Sequence, residues 1–477
     1  MTSLVGQAAN FLLRLGSMAI MARLLTPEEF GLVGMVMALT GFLNLLRDGG
    51  LPQATVREQT LRQETISTLF WLNLAIGLAL AVATAMAAPI VAWFYGDPRL
   101  TWVTVIMGTT FLTYGASAQH RALLQRNMQF RNLVSIDTVS LVIGIAIAIG
   151  MAMSGLGYWA LVGMAVAQPF ASAIGLWIVT GWVPGRPQTR TGVRSLLRFG
   201  GLLTLNSVVV YVAYNVDKIL LGRYWSADAL GLYGRAYQLI NIPTENLQGS
   251  VGSVMVPALA RVQDDPVRLR SYFLKGYWLF LSIVMPITIA CALFAKDIVA
   301  VLLGPKWGDT VLLFQLLAPT ILVFAVLNPL FYLMVATGRA ARSLKMAFVI
   351  APTVILAYSL GLPYGAAGVA FGFSVAMVIL LVPKALWAVQ GTPITGADLL
   401  RTALAPLAST LVGGAAVVAL ATVLADVPAL LRLSLLTCVL FGIDFLVLLF
   451  GFGQKDAYMD IVHALRPPRG DDDGGRA

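Results

Sequence analysis

Polar side chains inside an apolar segment near the start of the chain are the first candidates for chemistry. They recur at spacings of 4, 3, 4 and 3, which places them on one helical face: Ser3, Gln7, Asn10, Arg14 and Ser17. Arg14 lies mid-segment, where an unpaired charge costs about 2.5–3.5 kcal/mol. It therefore needs a wet cavity or a carboxylate partner, and its planar fork suits a phosphate. We favour the cavity, with a structural ion pair as the alternative.

A second stripe of the same kind occurs near the middle of the chain. Its spacings are 3, 4, 3 and 4, and its members are Thr204, Ser207, Tyr211, Tyr214 and Lys218, with Asp217 beside them. Tyrosine rings on such a face can stack on sugars while their hydroxyl groups form hydrogen bonds. Alternatively, Tyr211 and Tyr214 only pack, and Lys218 lies at the membrane interface, where aromatic belts are common.

The third stripe is the most polar. Gln238, Asn241, Glu245 and Gln248 are spaced 3, 4 and 3 residues apart, and Pro243 predicts a kink among them. Because ionisable groups inside membranes are functional by default, we expect Gln238 and Asn241 to line a cavity. Glu245 either balances Arg14 or carries a coupling H⁺ or Na⁺, and Asp217 is a second coupling candidate.

The sequence lacks the motifs of several enzyme classes. The chain has no Gly-Lys dipeptide, so it lacks a Walker A loop. Its only histidines are His120 and His463, which excludes a histidine-pair zinc motif, and its two cysteines offer no disulfide framework. We therefore expect a protein that is not an enzyme and has no cofactor beyond a coupled ion.

The elements that hold these stripes must lie in a membrane. Of the 477 residues, 58% are hydrophobic and 11% are charged, with a mean hydropathy of +0.83. Soluble proteins carry roughly 45–50% apolar and about 25% charged residues. The composition excludes soluble globular, disordered and nucleic-acid-binding chains, so we expect no nucleic-acid partner despite a net charge of +10.

Apolar windows of about 20 residues predict an all-α integral membrane protein of about fourteen spans. Their approximate limits are 4–25, 29–47, 66–90, 100–119, 132–153, 157–180, 199–221, 229–257, 272–295, 309–335, 344–361, 365–388, 401–424 and 431–453. The first span starts almost at once, so the natural start could lie upstream.

Basic residues give the orientation. Of 32 Lys and Arg residues, 23 fall in the connections after even-numbered spans and in the tail, and 8 fall on the other side. By the positive-inside rule, both termini are expected in the cytoplasm.

Two pairs of similar motifs indicate an internal duplication. Phe30-Gly31-Leu32 resembles Leu230-Gly231-Leu232, and Gly157-Tyr158-Trp159-Ala160-Leu161 resembles Gly365-Ala366-Ala367-Gly368-Val369. The offsets of 200 and 208 residues favour two parallel six-span lobes, at 1–183 and 184–390. Two accessory spans at 391–460 and a disordered cytoplasmic tail at 461–477 complete the predicted domains.

An ordered set of motifs also resembles a known family, the polysaccharide transporter family of Wzx-type flippases. The first is Ala22-Arg23-Leu24-Leu25-Thr26-Pro27-Glu28-Glu29-Phe30-Gly31-Leu32. Others include Gly157-Tyr158-Trp159-Ala160-Leu161, Asn215-Val216-Asp217-Lys218-Ile219 and Leu303-Gly304-Pro305-Lys306-Trp307. The resemblance covers roughly residues 20–340 and is thin over the last two spans.

The resemblance implies the multidrug/oligosaccharidyl-lipid/polysaccharide exporter fold and a bacterial inner-membrane location. It implies a substrate of the undecaprenyl-pyrophosphate type, a lipid-linked glycan for exopolysaccharide, capsule or O-antigen, flipped by alternating access. Asn44-Leu45-Leu46-Arg47 resembles the end of span 2 in lipid II flippases, where an arginine meets pyrophosphate. Membrane lipid and the polymerase, chain-length and export proteins of the pathway are the expected partners.

Two alternatives remain at this point. One is a drug or small-molecule antiporter of the same fold, which predicts a pocket dominated by carboxylates. The other is a membrane polymerase or scaffold of the polysaccharide export machine.

Overall fold

The computed structural model describes residues 2–47, 63–187 and 208–453, and every regular element in those ranges is helical. Up to residue 261, the helices whose bounds are described are α1 (Thr2–Leu24), α2 (Pro27–Arg47), α3 (Gln63–Tyr95), α4 (Arg99–Arg126), α5 (Phe130–Met153), α6 (Trp159–Thr180), α7 (Val216–Tyr224) and α8 (Ala227–Arg261), and residues 208–213 are also helical. The remaining eight are α9 (Pro266–Leu293), α10 (Ala295–Leu302), α11 (Thr310–Leu317), α12 (Pro319–Ala336), α13 (Ala340–Gly361), α14 (Gly365–Val389), α15 (Gly396–Val423) and α16 (Ala429–Leu446).

The all-α membrane architecture predicted from hydropathy is confirmed, and each predicted span overlaps a helix. Nine described stretches are long and apolar enough to cross a bilayer, and the longest, Arg342–Val389, covers most of α13 and all of α14. The count of fourteen spans stays a prediction. The predicted tail at 461–477 lies outside the described residues.

Local signals explain where α2 begins. Pro27 occupies its first position, where the missing N–H of proline is harmless. Thr26 and Glu29 form a capping box: the Thr26 amide donates to Glu29 Oε2 at 2.7 Å, and the Glu29 amide donates to Thr26 Oγ1 at 3.4 Å. These local signals therefore explain the sharp turn between α1 and α2.

Ion pairs of Arg99 stabilise the turn between α3 and α4. Arg99 donates to both carboxylate oxygens of Asp97 and, at 2.8 Å, to Glu28. The hydrogen bond from Arg99 lowers the pKa of the Asp97 carboxyl below its ordinary value. These ion pairs connect the start of α2 to the start of α4.

Close packing of α3 against α4 sets the position of α4. A Cβ built on Gly77 would lie 2.5 Å from the Phe111 carbonyl oxygen, and one on Gly115 would lie 2.6 Å from that of Asn73. Only glycine allows two backbones to approach this closely, as is common between membrane helices. The residues that follow Gly115 on α4 are therefore fixed relative to α3.

The helices form two compact units. The first comprises Met1–Gln238, Ile298–Leu316 and Leu344–Ala376. Within it, the fully buried Trp307 donates its indole N–H to the Ala22 carbonyl at 2.8 Å and packs edge-on against Phe30. The later segments of this unit are thus anchored on the α1–α2 turn.

The second unit comprises Leu239–Asp297, Leu317–Ser343 and Met377–Ala477. Polar pairs link its helices: Arg270 Nε donates to Asp398 at 3.0 Å, and Arg432 Nε donates to Asp297 at 2.9 Å. Asp444 accepts hydrogen bonds from Ser409 and Thr410 at 2.7 and 2.9 Å. The two lobes at 1–183 and 184–390 stay predictions. They are inferred from internal repeats in the sequence, whereas the two units are defined by contacts between residues, so the units do not test the lobes.

Candidate functional site

A polar cavity of roughly 630 Å³ lies within the first unit, among α1, α2, α4, α5 and α6. Its polar lining residues are Asn10, Arg14, Arg47, Tyr114, Ser117, Arg121, Asp137, Ser140, Gln168 and Ser172. This volume is in the range of small-molecule sites, about 300–1,000 Å³. We refer to this space as the cationic cavity, because three arginines and one carboxylate line it.

Helix α1 contributes Asn10 and Arg14, four residues apart on one face. The Arg14 side chain is exposed, and its guanidinium forms no hydrogen bond or ion pair with any residue that the structure describes. The Oδ1 atom of Asn10 is buried and likewise lacks a partner among the described residues. An orphaned buried polar atom beside an unpaired guanidinium is typical of a site that a polar ligand completes.

Arg47, the last residue of α2, enters the cavity from a different side. Its guanidinium carbon lies 3.6 Å from the centre of the Tyr114 ring, a cation–π contact. The contact orients Arg47 toward the cavity lining. The two arginines that sequence analysis proposed as phosphate ligands therefore line the same space.

The third arginine of the cavity is paired. Arg121 forms a bidentate ion pair with Asp137, and the longer of its two hydrogen bonds, from Nη1 to Oδ2, is 3.2 Å. Arg121 also approaches Ser172 Oγ at 3.5 Å. Because this pair is neutral overall, Arg14 keeps a positive charge that no described residue balances, and Arg47 adds a second guanidinium to the same lining. That arrangement can bind an anionic group such as a phosphate.

The described part of the second predicted stripe includes a different feature, the fully buried carboxylate of Asp217, whereas Thr204 and Ser207 lie outside the described residues. Tyr233 donates its hydroxyl to Asp217 Oδ2 at 2.7 Å, and Asp217 Oδ1 has no partner among the described residues. Lys218 Nζ donates to Asn215 Oδ1 at 2.7 Å and lies 4.8 Å from the centre of the Tyr237 ring. The Tyr214 ring packs edge-on against Phe373.

The remaining predicted residues are dispersed. Tyr211 donates its hydroxyl to the Ala38 carbonyl at 2.8 Å and borders an apolar cavity. Gln238 is exposed and accepts a hydrogen bond from Arg235, and Asn241 is half-buried. Glu245 is exposed and forms no ion pair with a residue that the structure describes. The side chain of Gln7 lies outside the described part of the chain.

Several cavity residues were not predicted, although their spacing in the sequence is a helical signal. Tyr114, Ser117 and Arg121 are spaced 3 and 4 residues apart on α4, and Gln168 and Ser172 are 4 apart on α6. This is the same helical periodicity that marked α1. Arg121 follows the predicted span 100–119, so it counted only among the basic residues that gave the orientation.

Comparison with known proteins places this arrangement in a family. Residues 20–312 match the family model described as "Polysaccharide biosynthesis protein". The lipopolysaccharide biosynthesis protein WzxC of Escherichia coli (strain K12) is 26% identical over 377 residues, covering 77% of this chain and 75% of WzxC. The succinoglycan biosynthesis transport protein ExoT of Rhizobium meliloti (strain 1021) is 27% identical over 311 residues, covering 64% of this chain and 62% of ExoT.

Solved structures share the fold. The lipid II flippase MurJ in an inward closed conformation superposes with a TM-score of 0.75 at 14% identity, over 94% of this chain and 99% of MurJ. A multidrug resistance MATE transporter in an inward-facing conformation gives 0.61 at 16% identity, over 79% and 93% of the two chains. The chain thus shares the fold of a lipid flippase and of a transporter of the MOP superfamily. The chain belongs to the polysaccharide biosynthesis protein family, the polysaccharide transporters that its ordered motifs resemble.

Proposed function

We propose that this protein flips polyprenyl-pyrophosphate-linked oligosaccharide repeat units across the bacterial inner membrane by alternating access. One observation carries the proposal: Arg14 and Arg47 line one cavity, and no described residue neutralises Arg14. A cation inside a membrane span is costly without a counter-charge, and an anionic substrate would supply that counter-charge.

The chemistry of the cavity suits such a head group. Two guanidinium groups pair with the pyrophosphate, since arginine forms bidentate hydrogen bonds to phosphate oxygens. Amide and hydroxyl groups of Asn10, Gln168 and Ser172 are available for sugar hydroxyls. The prenyl tail is apolar and stays in the bilayer. Transfer of the polar head group through hydrocarbon has a high free-energy cost, so only the head group needs the cavity.

The relatives point to the same substrate class. Their names refer to the biosynthesis of lipopolysaccharide, teichuronic acid and succinoglycan. We infer that this chain serves a comparable exopolysaccharide, capsule or O-antigen pathway and works beside the polymerase and export proteins of that pathway. Orientation with both termini in the cytoplasm would let the cationic cavity load from the leaflet where the repeat unit is made.

The antiporter alternative is less well supported by the charges. A transporter of cationic drugs needs a free carboxylate in its pocket. Asp137 is the single carboxylate that lines the cationic cavity in the described residues, and Arg121 already pairs with it. The polymerase or scaffold alternative offers no role for the unpaired Arg14.

Asp217 is the better of the two proposed coupling residues. Its carboxylate is fully buried and one oxygen has no partner among the described residues, whereas Glu245 is exposed. A buried carboxylate that gains or loses H⁺ or Na⁺ changes the local charge balance, which can bias two conformations of a transporter. We therefore propose that Asp217 couples transport to H⁺ or Na⁺.

A flipping assay tests the proposal directly. Purified protein in vesicles receives a fluorescent undecaprenyl-pyrophosphate sugar, and a membrane-impermeant quencher measures the fraction in the outer leaflet. We expect the protein to increase the fraction of the pyrophosphate-linked sugar that the quencher reaches. It should not increase that fraction for a labelled neutral glycolipid of the same chain length. Equal movement of both lipids would indicate nonspecific scrambling and overturn the proposal.

A further inference from the structure

A second cavity, separate from the cationic one, lies beside α2, α3 and α7. Its volume is roughly 290 Å³, and its walls are apolar, including Leu39, Phe42, Ile90, Val91, Val212 and Ile219. We call it the apolar cavity. Ile90 is 63% exposed and Val212 is 37% exposed, so the cavity is reached from the surface of the helices.

Three polar side chains border the apolar cavity, Tyr95, Tyr211 and Asn215, and the last two form hydrogen bonds within the protein. Tyr211 donates its hydroxyl to the Ala38 carbonyl at 2.8 Å. Asn215 donates to the Tyr211 carbonyl at 2.9 Å and accepts from Lys218 at 2.7 Å. The other lining residues are apolar, and atoms that line an apolar space lose dispersion contacts until an apolar group fills it.

A cation lies next to this cavity. Arg223 follows Ile219 by four residues on α7, and its guanidinium carbon lies 5.7 Å from the centre of the Phe94 ring, which lines the cavity. Arg223 is exposed and forms no ion pair with a carboxylate in the described ranges. The adjacent Tyr224 and Trp225 are also exposed, at 66% and 51%. Exposed aromatic residues and a basic residue at a helix end mark the membrane–water interface.

We propose that the apolar cavity binds an acyl chain of an anionic glycerophospholipid from the surrounding bilayer, whose phosphate pairs with Arg223. Three features select this occupant: an apolar space open to the lipid-facing surface, a cation at interface depth, and aromatic neighbours at that level. The bound chain fills the gap between α2, α3 and α7, and the phosphate neutralises Arg223. The site is independent of the cationic cavity and of the proposed substrate.

Photo-crosslinking tests the site. The protein is placed in phosphatidylcholine vesicles that contain phosphatidylglycerol with a diazirine in the middle of one acyl chain, and labelled peptides are mapped after irradiation. We expect labelling concentrated in residues 86–95 and 211–224. Ile90→Trp, which fills the mouth, should reduce this labelling severalfold. Ile178→Trp, at a 74% exposed position on α6, is the matched control and should leave it unchanged.

The charge is tested separately. Arg223→Gln should reduce the preference for labelled phosphatidylglycerol over labelled phosphatidylcholine by about fivefold, the effect of roughly 1 kcal/mol for one basic residue at a lipid surface. Lys296→Gln, which removes an exposed cation elsewhere, should not change that preference. If Ile90→Trp lowers the melting temperature, Ile90→Phe replaces it.

Three results would overturn the proposal. The first is labelling spread evenly over lipid-facing helices and insensitive to both Ile90 variants. The second is a headgroup preference unchanged by Arg223→Gln. The third is displacement of the labelled lipid by equimolar undecaprenyl phosphate, which would make the cavity a site for the substrate tail.

Discussion

Gly31 of α2 and Gly231 of α8 each lie against the backbone of the other's helix. A Cβ built on Gly31 would come within 1.7 Å of the Ala227 carbonyl oxygen, and one on Gly231 within 1.8 Å of the Pro27 carbonyl oxygen. The two contacts are equivalent, since each glycine meets the residue four positions before the other glycine. A twofold axis that relates the two motifs of the predicted repeat would produce this arrangement.

This contact predicts a sharp difference between neighbouring glycines. Gly31→Ala and Gly231→Ala should each lower stability by about 1–3 kcal/mol, because the added methyl group forces the helices apart. Gly34→Ala and Gly234→Ala are the controls. A Cβ at Gly34 meets Leu230 at 3.7 Å and one at Gly234 meets nothing within 4 Å, so alanine there should be neutral or stabilising. Melting temperatures in detergent compare the four variants, and equal losses in all of them would contradict the close approach.

Arg14 should govern affinity for the substrate head group. Arg14→Ala removes a charge-assisted interaction of about 1.5–3 kcal/mol and should weaken head-group binding roughly 10- to 150-fold, whereas Arg14→Lys should keep part of it. Binding to the purified protein and polymer export in cells are the measurements. Arg131→Ala removes an equal charge from an exposed position outside the cavity and is the control. Full export by Arg14→Ala at normal membrane levels would assign Arg14 a purely structural role.

The Arg121–Asp137 pair should act mainly on structure. Both side chains are partly exposed, so replacing either partner by alanine should lower stability by only about 0.2–1 kcal/mol. The exchanged pair, Arg121→Asp with Asp137→Arg, should recover most of that loss. A double-mutant cycle on thermal stability should give a coupling energy of about the same size. Additive effects would show that the two side chains act independently.

Asp217 should couple transport to an ion. Asp217→Asn keeps an oxygen that can accept the Tyr233 hydroxyl but cannot bind a proton or Na⁺ as a carboxylate does. Transport by this variant should no longer respond to an imposed H⁺ or Na⁺ gradient, while head-group binding persists. Asp444→Asn tests a carboxylate whose Oδ1 accepts two hydrogen bonds, and Glu245→Gln tests the exposed one. A normal gradient response in Asp217→Asn, lost instead in Glu245→Gln, would move the coupling site to α8.

The orientation of the chain can be read by cysteine labelling. In a background without Cys291 and Cys438, Arg186→Cys should react only from the cytoplasm and Pro98→Cys only from the periplasm. Both positions are exposed, so accessibility to the reagent is not limited by packing. Labelling of position 186 by an impermeant reagent added to intact cells would reverse the predicted topology.

The sequence alone determined the membrane architecture, because burial in lipid leaves a strong one-dimensional signal. Each span needs about 20 apolar residues, so hydropathy locates helices without knowledge of their partners. The helical spacing of Asn10 and Arg14 likewise revealed a polar face on α1, and the ordered motifs identified the family.

Only the tertiary structure decided which polar faces meet. Asn10, Arg14 and Arg47 share a cavity with Arg121 and Asp137, whereas Tyr211, Tyr214 and Lys218 belong to other surroundings. Periodicity fixes the direction of a side chain around its own helix but carries no information about the neighbouring helix. Pairing depends on interhelical contacts such as the Gly77–Phe111 approach, which join residues distant along the chain. For that reason, the neutralisation of Arg121 and the unpaired state of Arg14 became visible only in three dimensions.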